Sequence, residues 1–209
     1  MRAVGIDVGA RRLHAVVLDS RAAVAGTGVF DADDVDEVVA WARGARQVAV
    51  DSPDRWSAGP HQGDVELPPK FRSARCAEIA LGRDHRIWVP WTTPVKPAPG
   101  WIHVGVDLFA ALRDGGHEPI EVFPHAAFRV LAGGRSLAPK RSAAGARSRG
   151  ELLERAGVSQ APLQTRSHDV LDAAAAALVA LHRARGAARP VTCGHDGSAI
   201  WLPAGPLAG

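Results

Sequence analysis

The chain has 209 residues, a formal net charge of +3 and a sequence pI near 9.4. Apolar residues make up 46% of it and charged residues 22%, which is ordinary for a globular protein and argues against a disordered chain. The weak positive charge suits a nucleic-acid partner without requiring one. The longest apolar run, residues 173–181, is too short to span a bilayer, so we expect a soluble, cytoplasmic protein with no membrane partner.

The two cysteines give little indication of a site. Cys76 and Cys193 are far apart in the sequence, and neither belongs to a CxxC motif. This spacing predicts no zinc site. Reduced cysteines in an intracellular setting are the simpler expectation.

The first nineteen residues predict a β-hairpin. An apolar run at 4–6 ends in Asp7, Gly9 follows two residues later, and a second apolar run covers 13–18. The first strand is apolar on both faces, so we expect it in the interior of its sheet. A carboxylate in such a strand is costly to bury without a partner, which makes Asp7 a candidate site residue.

The next segments predict a third antiparallel strand at 22–30, an amphipathic helix ending at Gly44, and a short strand at 47–50. This fourth strand also ends in an acid, Asp51. A strand that follows a crossover helix lies parallel to the first strand. If the two strands are neighbours, Asp7 and Asp51 fall side by side at one end of the sheet.

The middle of the chain is less regular. We predict a loop at 52–70, a helix at 71–82, an irregular segment at 87–100 and an amphipathic helix at 101–113. A strand then follows at 119–123, with Glu121 inside it, and Pro124 begins a short helix. Residues 1–209 are thus expected to form a single domain in which 52–118 and 133–150 are irregular or helical insertions.

The last third of the chain combines a basic segment with a long helix. Residues 137–150 are basic and rich in alanine and glycine, and they run into a predicted helix at 151–156. Ser167 is the predicted N-cap of a helix that continues to Arg185. Residues 200–203 predict a short edge strand.

Acidic residues recur at predicted strand ends and at the start of the last helix. They are Asp7, Asp51, Glu121, Asp169 and Asp172. On that helix, His168 and Asp169 each share a face with Asp172. Several carboxylates in one place cannot all be ionised without a cation, and Mg²⁺ or Mn²⁺ prefers such oxygen ligands. Two such ions roughly 4 Å apart can promote hydrolysis of a phosphodiester.

The order of these elements resembles the ribonuclease H superfamily, and HDxxDA in the last helix is similar to the motif of Holliday-junction resolvases. A larger set of motifs resembles domain-of-unknown-function family 429, whose members are predicted nucleases of that fold. The motifs are GIDVG, AVDSP, EVFPHAAFRVL, Lys140, GELLERAG and HDVLDAAAAAL. The resemblance covers nearly the whole chain. It implies an α/β, ribonuclease H-like fold with a mixed sheet of about five strands, the first three antiparallel, and helices on both faces.

The resemblance also implies roles for particular residues. The implied ligands of a two-ion Mg²⁺ or Mn²⁺ site are Asp7, Asp51, Glu121 and Asp172, with His168 or Asp169 positioning water. The basic residues Lys140, Arg141 and Arg147 would hold the phosphates of a nucleic acid. One departure concerns Ala77, which stands where we expect an acid in family members, with Glu78 next.

Three functions remain open on the sequence. The first is a metal-dependent nuclease acting on DNA or RNA, for which a dimer is conceivable because resolvases of this superfamily act as dimers. The second is a phosphotransferase of the actin–hexokinase type, which would need a second similar domain and a glycine-rich adenosine loop. The third is a non-catalytic nucleic-acid- or protein-binding domain. Structural alternatives also remain open for Asp7 and Asp51 as turn acids, for Asp169 as an early-helix acid, and for the basic segment as a solvated face.

Overall fold

The computed structural model describes residues 1–57, 67, 71–89, 92, 98–159 and 167–205. Within these residues seven strands form one mixed sheet in the order β3-β2-β1-β4-β5-β7-β6. The strands are β1 (Ala3–Val8), β2 (Arg12–Leu18), β3 (Val24–Asp31), β4 (Gln47–Asp51), β5 (Ile120–Val122), β6 (Ala188–Val191) and β7 (Ile200–Pro203). The helices are α1 (Val35–Trp41), α2 (Cys76–His85), α3 (Gly100–Asp114), α4 (Pro124–Leu131), α5 (Ala143–Arg155) and α6 (His168–Ala184).

The N-terminal part of the sheet follows the predicted order. Strands β1, β2 and β3 are antiparallel neighbours, and β4 returns parallel to β1 after α1. Every residue of β1 is buried, as its apolar sequence predicts. The Asp34 side chain caps α1 by accepting a hydrogen bond from the Glu37 amide. The predicted α/β class, with a mixed sheet and three antiparallel strands first, is confirmed.

The other end of the sheet is larger than predicted. Strands β5 and β7 continue the parallel part, and β6 pairs antiparallel with β7 at the edge. Residues 200–203 are therefore an inner strand, and the sheet has seven strands where about five were expected. Strand β6 has no apolar pattern in the sequence, because Arg189 and Pro190 stand in its middle, and both are exposed in the structure. Proline is tolerated in an edge strand, where the missing donor costs no ladder bond.

Two helices differ in extent from their predictions. Helix α2 begins at Cys76, five residues later than expected, and α5 begins at Ala143, eight residues before the helix predicted at 151–156. Alanine and arginine are good helix formers, and the Ser142 hydroxyl caps α5 by accepting from the Gly145 amide. Much of the predicted loop at 52–70 and of the irregular segment at 87–100 lies outside the described residues. No helix in the described ranges is long and apolar enough to cross a membrane.

The sheet lies between two layers of helices, with α4, α5 and α6 on one face and α1 and α3 on the other. Side chains alternate along a strand, so Ala3, Gly5 and Asp7 all face α6. A Cβ atom on Gly5 would overlap the backbone of Ala177, which means that α6 packs directly against the β1 backbone. This close approach fixes the start of α6 above the carboxyl ends of β1 and β4.

Candidate metal centre

Three of the predicted acids meet at one end of the sheet. Carboxylate oxygens of Asp7, Asp51 and Asp172 all lie within 4.8 Å of one another. Asp7 and Asp172 are buried, and Asp51 is partly buried. Three carboxylates at this spacing form an oxygen-rich group of the kind that a hard divalent cation prefers.

The fold explains why these three residues converge. Asp7 and Asp51 are directly opposite each other on the parallel pair β1 and β4, at the carboxyl ends of both strands. Asp172 follows one turn after the start of α6, which crosses over the same strands. The alanine run after Asp172 is fully buried, and its small side chains allow the helix to approach closely.

Two of the three carboxyl groups, those of Asp7 and Asp51, have raised pKa values. Burial, and then repulsion from Asp172 and Asp169, raises the pKa of Asp7 from 3.8 to about 7. Burial, and then repulsion from Asp7, raises the pKa of Asp51 well above its ordinary value. Asp7 and Asp51 also share a side-chain hydrogen bond, which forms only when one of the two carboxyl groups is protonated. A divalent cation bound here would supply the positive charge that allows both groups to ionise.

Lys140 supplies another positive charge at the cluster. Its ammonium donates a hydrogen bond of 2.8 Å to Asp172 Oδ2. Burial opposes the charged form, but Asp172, Asp7 and Asp51 together raise the pKa of Lys140. The predicted phosphate-binding lysine therefore contacts the acidic cluster directly, and its side chain is still 45% exposed.

Glu121 does not join this group among the described residues. Its strand pairs Glu121 with Val50, one position before Asp51, so its side chain leaves the opposite face of the sheet from Asp51. There the buried Arg75 guanidinium donates to both carboxylate oxygens, at 2.6 and 2.7 Å, and the Asp54 amide donates at 3.0 Å. Burial raises the pKa of Glu121, and Arg75 opposes that rise. The geometry thus does not support the predicted role of Glu121 as a metal ligand.

Asp169 and His168 lie next to the cluster. Asp169 is close enough to raise the pKa of Asp7, but its oxygens bond to its neighbours in the chain. His168 Nδ1 is 2.9 Å from Asp169 Oδ1, and the Ser167 hydroxyl donates to Asp169 Oδ2 at 3.4 Å. Ser167 is the N-cap residue as predicted, although its side chain caps no amide.

Two cavities adjoin these residues. The acidic cavity has a volume of about 340 Å³, and its polar walls are formed by Asp7, Asp51, Ser52, Glu121, Lys140, Arg141 and Asp169. The basic cavity, of about 440 Å³, is lined by Lys140, Arg141, Ser142, Ala143, Ala146, Arg147, Ser167 and His168. Lys140 and Arg141 line both, so the three predicted phosphate-binding residues lead from the acidic cluster into a second concavity.

Sequence reasoning missed three residues at the site. His14 faces Asp7 across the β-hairpin, with its Nδ1 atom 3.9 Å from Asp7 Oδ2. Arg75 and Asp54 hold Glu121 on the other face of the sheet. The pairing of the predicted hairpin could have identified His14. Asp54 comes three residues after β4 and Arg75 directly precedes α2, and nothing in their local sequence pattern indicated a contact with β5.

The expectation that the two cysteines are reduced is wrong. Cys76 and Cys193 form a disulfide, with their Cα atoms 5.1 Å apart. It joins the first turn of α2 to the loop between β6 and β7. A sequence separation of 117 residues left no local signal of this pairing.

Comparison with known proteins gave a family-model match and similar solved structures. The model of the family described as "Protein of unknown function (DUF429)" matches residues 103–195, so the predicted resemblance to family 429 is confirmed. Similar solved structures include RuvC of Thermus thermophilus, at 18% identity over 89% of this chain and 97% of that chain, with a TM-score of 0.49. The structure of T. thermophilus RuvC in complex with a Holliday junction substrate is 17% identical over 97% of this chain and 100% of that chain, with a TM-score of 0.47. Likeness at this level carries no argument about activity. No curated protein matches this chain.

Proposed function

We propose that this protein is a nuclease that hydrolyses phosphodiester bonds in DNA or RNA and depends on Mg²⁺ or Mn²⁺. The observation that carries the proposal is the convergence of Asp7, Asp51 and Asp172 on one point beside a cavity. Burial, followed by repulsion from neighbouring acids, raises the pKa of Asp7 and of Asp51, and a bound cation would offset both effects.

Each residue of the cluster has a role in this proposal. Asp7, Asp51 and Asp172 hold the ion through their oxygens. Such an ion supplies Lewis-acid activation of the phosphodiester and of the attacking water. Asp169, oriented by His168, lies on the cavity wall where it can accept a hydrogen bond from that water. Asp169 is also the carboxylate on the cavity wall that stays available to a second ion, because both carboxylate oxygens of Glu121 accept hydrogen bonds from Arg75.

The basic cavity supports a polyanionic substrate. Lys140 and Arg141 stand between the two cavities, and Arg147 lies further along the basic one. A nucleic-acid strand with its scissile phosphate at the acidic cluster would place a neighbouring phosphate among these cations. Contacts of this kind position the backbone without reading the base sequence.

Thermal unfolding with chelator, Mg²⁺, Mn²⁺ or Ca²⁺ tests the metal site. An ion that binds only the native protein raises the unfolding midpoint by mass action. We expect a rise for the wild type with Mn²⁺ and none for the double variant Asp7→Asn/Asp172→Asn. A variant at an exposed acid outside the cluster, Asp33→Asn, is the matched control and should respond like the wild type.

Cleavage of labelled single-stranded, duplex and branched nucleic acids tests the activity. We expect Mn²⁺-dependent products from the wild type and from Asp33→Asn, and none from the double variant. Metal binding without cleavage of any of these substrates, but with retained binding to them, would instead support a non-catalytic binding domain. Absence of any midpoint shift at millimolar metal would contradict the proposed centre itself.

The basic cavity has its own test. Binding of a nucleic acid is measured against salt concentration for the wild type, for Arg147→Ala and for a distant control, Arg43→Ala. Each phosphate contact adds about −0.7 to −0.9 to the slope of log affinity against log salt. Arg147→Ala should make that slope shallower by about one contact, and Arg43→Ala should leave it unchanged.

A further inference from the structure

We propose that the reduced protein binds a zinc ion through Cys76, Cys193 and His195, at a site separate from the acidic cluster. The disulfide between the two cysteines is then the oxidised state of the same site. The proposal does not depend on nuclease activity, because no residue of the acidic cluster takes part in it.

The ligand atoms are already grouped. The two sulfur atoms and a ring nitrogen of His195 lie within 4.8 Å of one another. Two thiolates and an imidazole are soft and borderline ligands that select zinc over Mg²⁺ or Mn²⁺. Three protein ligands leave the fourth tetrahedral position to water or to a ligand from outside, and His195 is exposed to solvent.

Hydrogen bonds hold the two halves of this site together independently of the disulfide. The Asp196 carboxylate accepts from the Cys76 amide at 2.8 Å and from the Ser198 amide at 2.9 Å. The Ser198 hydroxyl accepts from the Ala77 amide at 3.0 Å. The loop therefore stays attached to the start of α2 when the sulfur–sulfur bond is broken, and the ligands remain close.

The local backbone also suits a metal loop. Cys193 and His195 are separated only by Gly194, whose φ of 83° lets the chain turn between the two ligands. The His195 amide donates to Cys76 Sγ at 3.4 Å, a contact that stabilises a thiolate. Cys76 is the first residue of α2, and a helix N-terminus favours the thiolate form further.

The disulfide and the zinc-bound form interconvert in two steps, reduction and metal binding. A dithiol reductant transfers two electrons and two protons to the disulfide, which becomes two thiols, and the reductant closes to its own disulfide. Zinc binding then releases one proton from Cys76 and one from Cys193. Cys76 follows Arg75, so either the metal or the disulfide anchors the end of α2 that carries the partner of Glu121.

The test uses the full chain in the Asp7→Asn/Asp172→Asn background, so that the acidic cluster holds no ion. The protein is reduced with a dithiol, desalted without oxygen, and loaded with Zn²⁺ or with Co²⁺, whose thiolate charge-transfer absorption reports sulfur ligation. We expect about one zinc per chain in the reduced protein and none in the oxidised protein. Cys193→Ser should abolish the cobalt absorption, and His195→Asn should weaken zinc binding at least tenfold.

His117→Asn, at a partly exposed position outside this cluster, is the matched control and should bind zinc like its parent. The proposal is overturned if the reduced protein binds no zinc, or if cobalt binds without thiolate absorption. Equal zinc binding by Cys193→Ser would overturn it as well. If Cys193→Ser fails to fold, His195→Asn decides the question, because its exposed side chain has no packing role.

Discussion

Asp7 and Asp51 lie opposite each other on adjacent parallel strands, and burial together with the other acids of the cluster raises the pKa of each. In the described part of the chain neither carboxylate is hydrogen-bonded to a lysine or an arginine: Lys140 is bonded to Asp172 instead, and His14 Nδ1 is 3.9 Å from Asp7 Oδ2. When both carboxyl groups are ionised, the repulsion between them lowers the free energy of unfolding of the metal-free protein. Such a cost is expected where residues are placed for a ligand and not for folding.

Asp7→Asn should therefore stabilise the metal-free protein at pH 8. The pKa of Asp7 is raised to about 7, so its effect on wild-type stability is most favourable below pH 4 and is lost as the pH rises towards 7. The variant should gain about 1–3 kcal/mol over the wild type at pH 8 in chelator and much less at pH 5. Urea unfolding at both pH values measures this. A loss of stability at pH 8 would identify Asp7 as a structural turn acid.

Lys140→Gln should strengthen binding of a divalent ion and weaken binding of a nucleic acid. The ammonium competes with the ion for Asp172, and its removal at pH 8.5 should raise metal affinity by about threefold to tenfold, since the pair is half-exposed. Titration calorimetry with Mn²⁺ provides the measurement. Arg147→Gln is the control, because Arg147 lines the basic cavity and not the acidic one. Weaker metal binding by Lys140→Gln would contradict the competition.

Arg75→Gln should destabilise the fold strongly. Its guanidinium is 1% exposed and neutralises Glu121 and Glu78, which are also buried. Leaving such carboxylates unpaired costs about 3–5 kcal/mol. Arg113→Gln breaks a half-exposed pair with Asp54 and should cost about 1 kcal/mol or less. Urea unfolding compares the two, and adding Glu121→Gln to Arg75→Gln should restore part of the loss. Equal effects of the two arginine variants would contradict this account.

Much of the N-terminal half of the site could be read from the sequence. Asp7 and Asp51 end two apolar strands separated by a crossover helix, and that order dictates parallel neighbours with aligned ends. Asp172 could be added from the face of the last helix. These inferences depend on local periodicity, which a single sequence displays, and on the general handedness of crossover connections, which applies to any sequence with this order of elements.

Glu121 shows where such reasoning fails. A shift of one residue in the pairing of β4 and β5 moves its side chain to the other face of the sheet, and no sequence pattern fixes that register. The partner that neutralises Glu121 lies 46 positions earlier, at Arg75. The same limit hid the Cys76–Cys193 disulfide and the edge strand β6, since both depend on contacts between distant segments.

Gly5→Ala should disrupt the packing that places Asp172. An added methyl group at Gly5 would collide with the backbone of α6, which cannot move as a flexible side chain can. We expect a loss of about 3 kcal/mol or more, together with weaker metal binding. Gly26→Ala, in β3, is the control: the nearest atom to its new Cβ, in Trp41, is 3.9 Å away. Thermal unfolding of both variants, with and without Mn²⁺, tests the prediction, and a normal metal response in a folded Gly5→Ala protein would contradict it.

His182→Leu should remove a pH dependence of stability that belongs to the far end of α6. His182 is 1% exposed, neither ring nitrogen has a hydrogen-bond partner in the described structure, and burial, then Arg185, lowers its pKa. A lowered histidine pKa means that stability is fully present above about pH 6.5 and is lost as the pH falls below that value. The leucine variant should therefore gain most over the wild type at pH 5.

Urea unfolding of both proteins at pH 5 and pH 8 measures this difference, and the rise in the pKa of Asp7 cancels because both proteins contain Asp7. Repeating the comparison in the Asp7→Asn background should give the same result, since Asp7 lies beside the start of α6 and His182 lies near its end. An advantage of His182→Leu that is equal at the two pH values would mean that the histidine is protonated as readily in the folded chain as in the unfolded one.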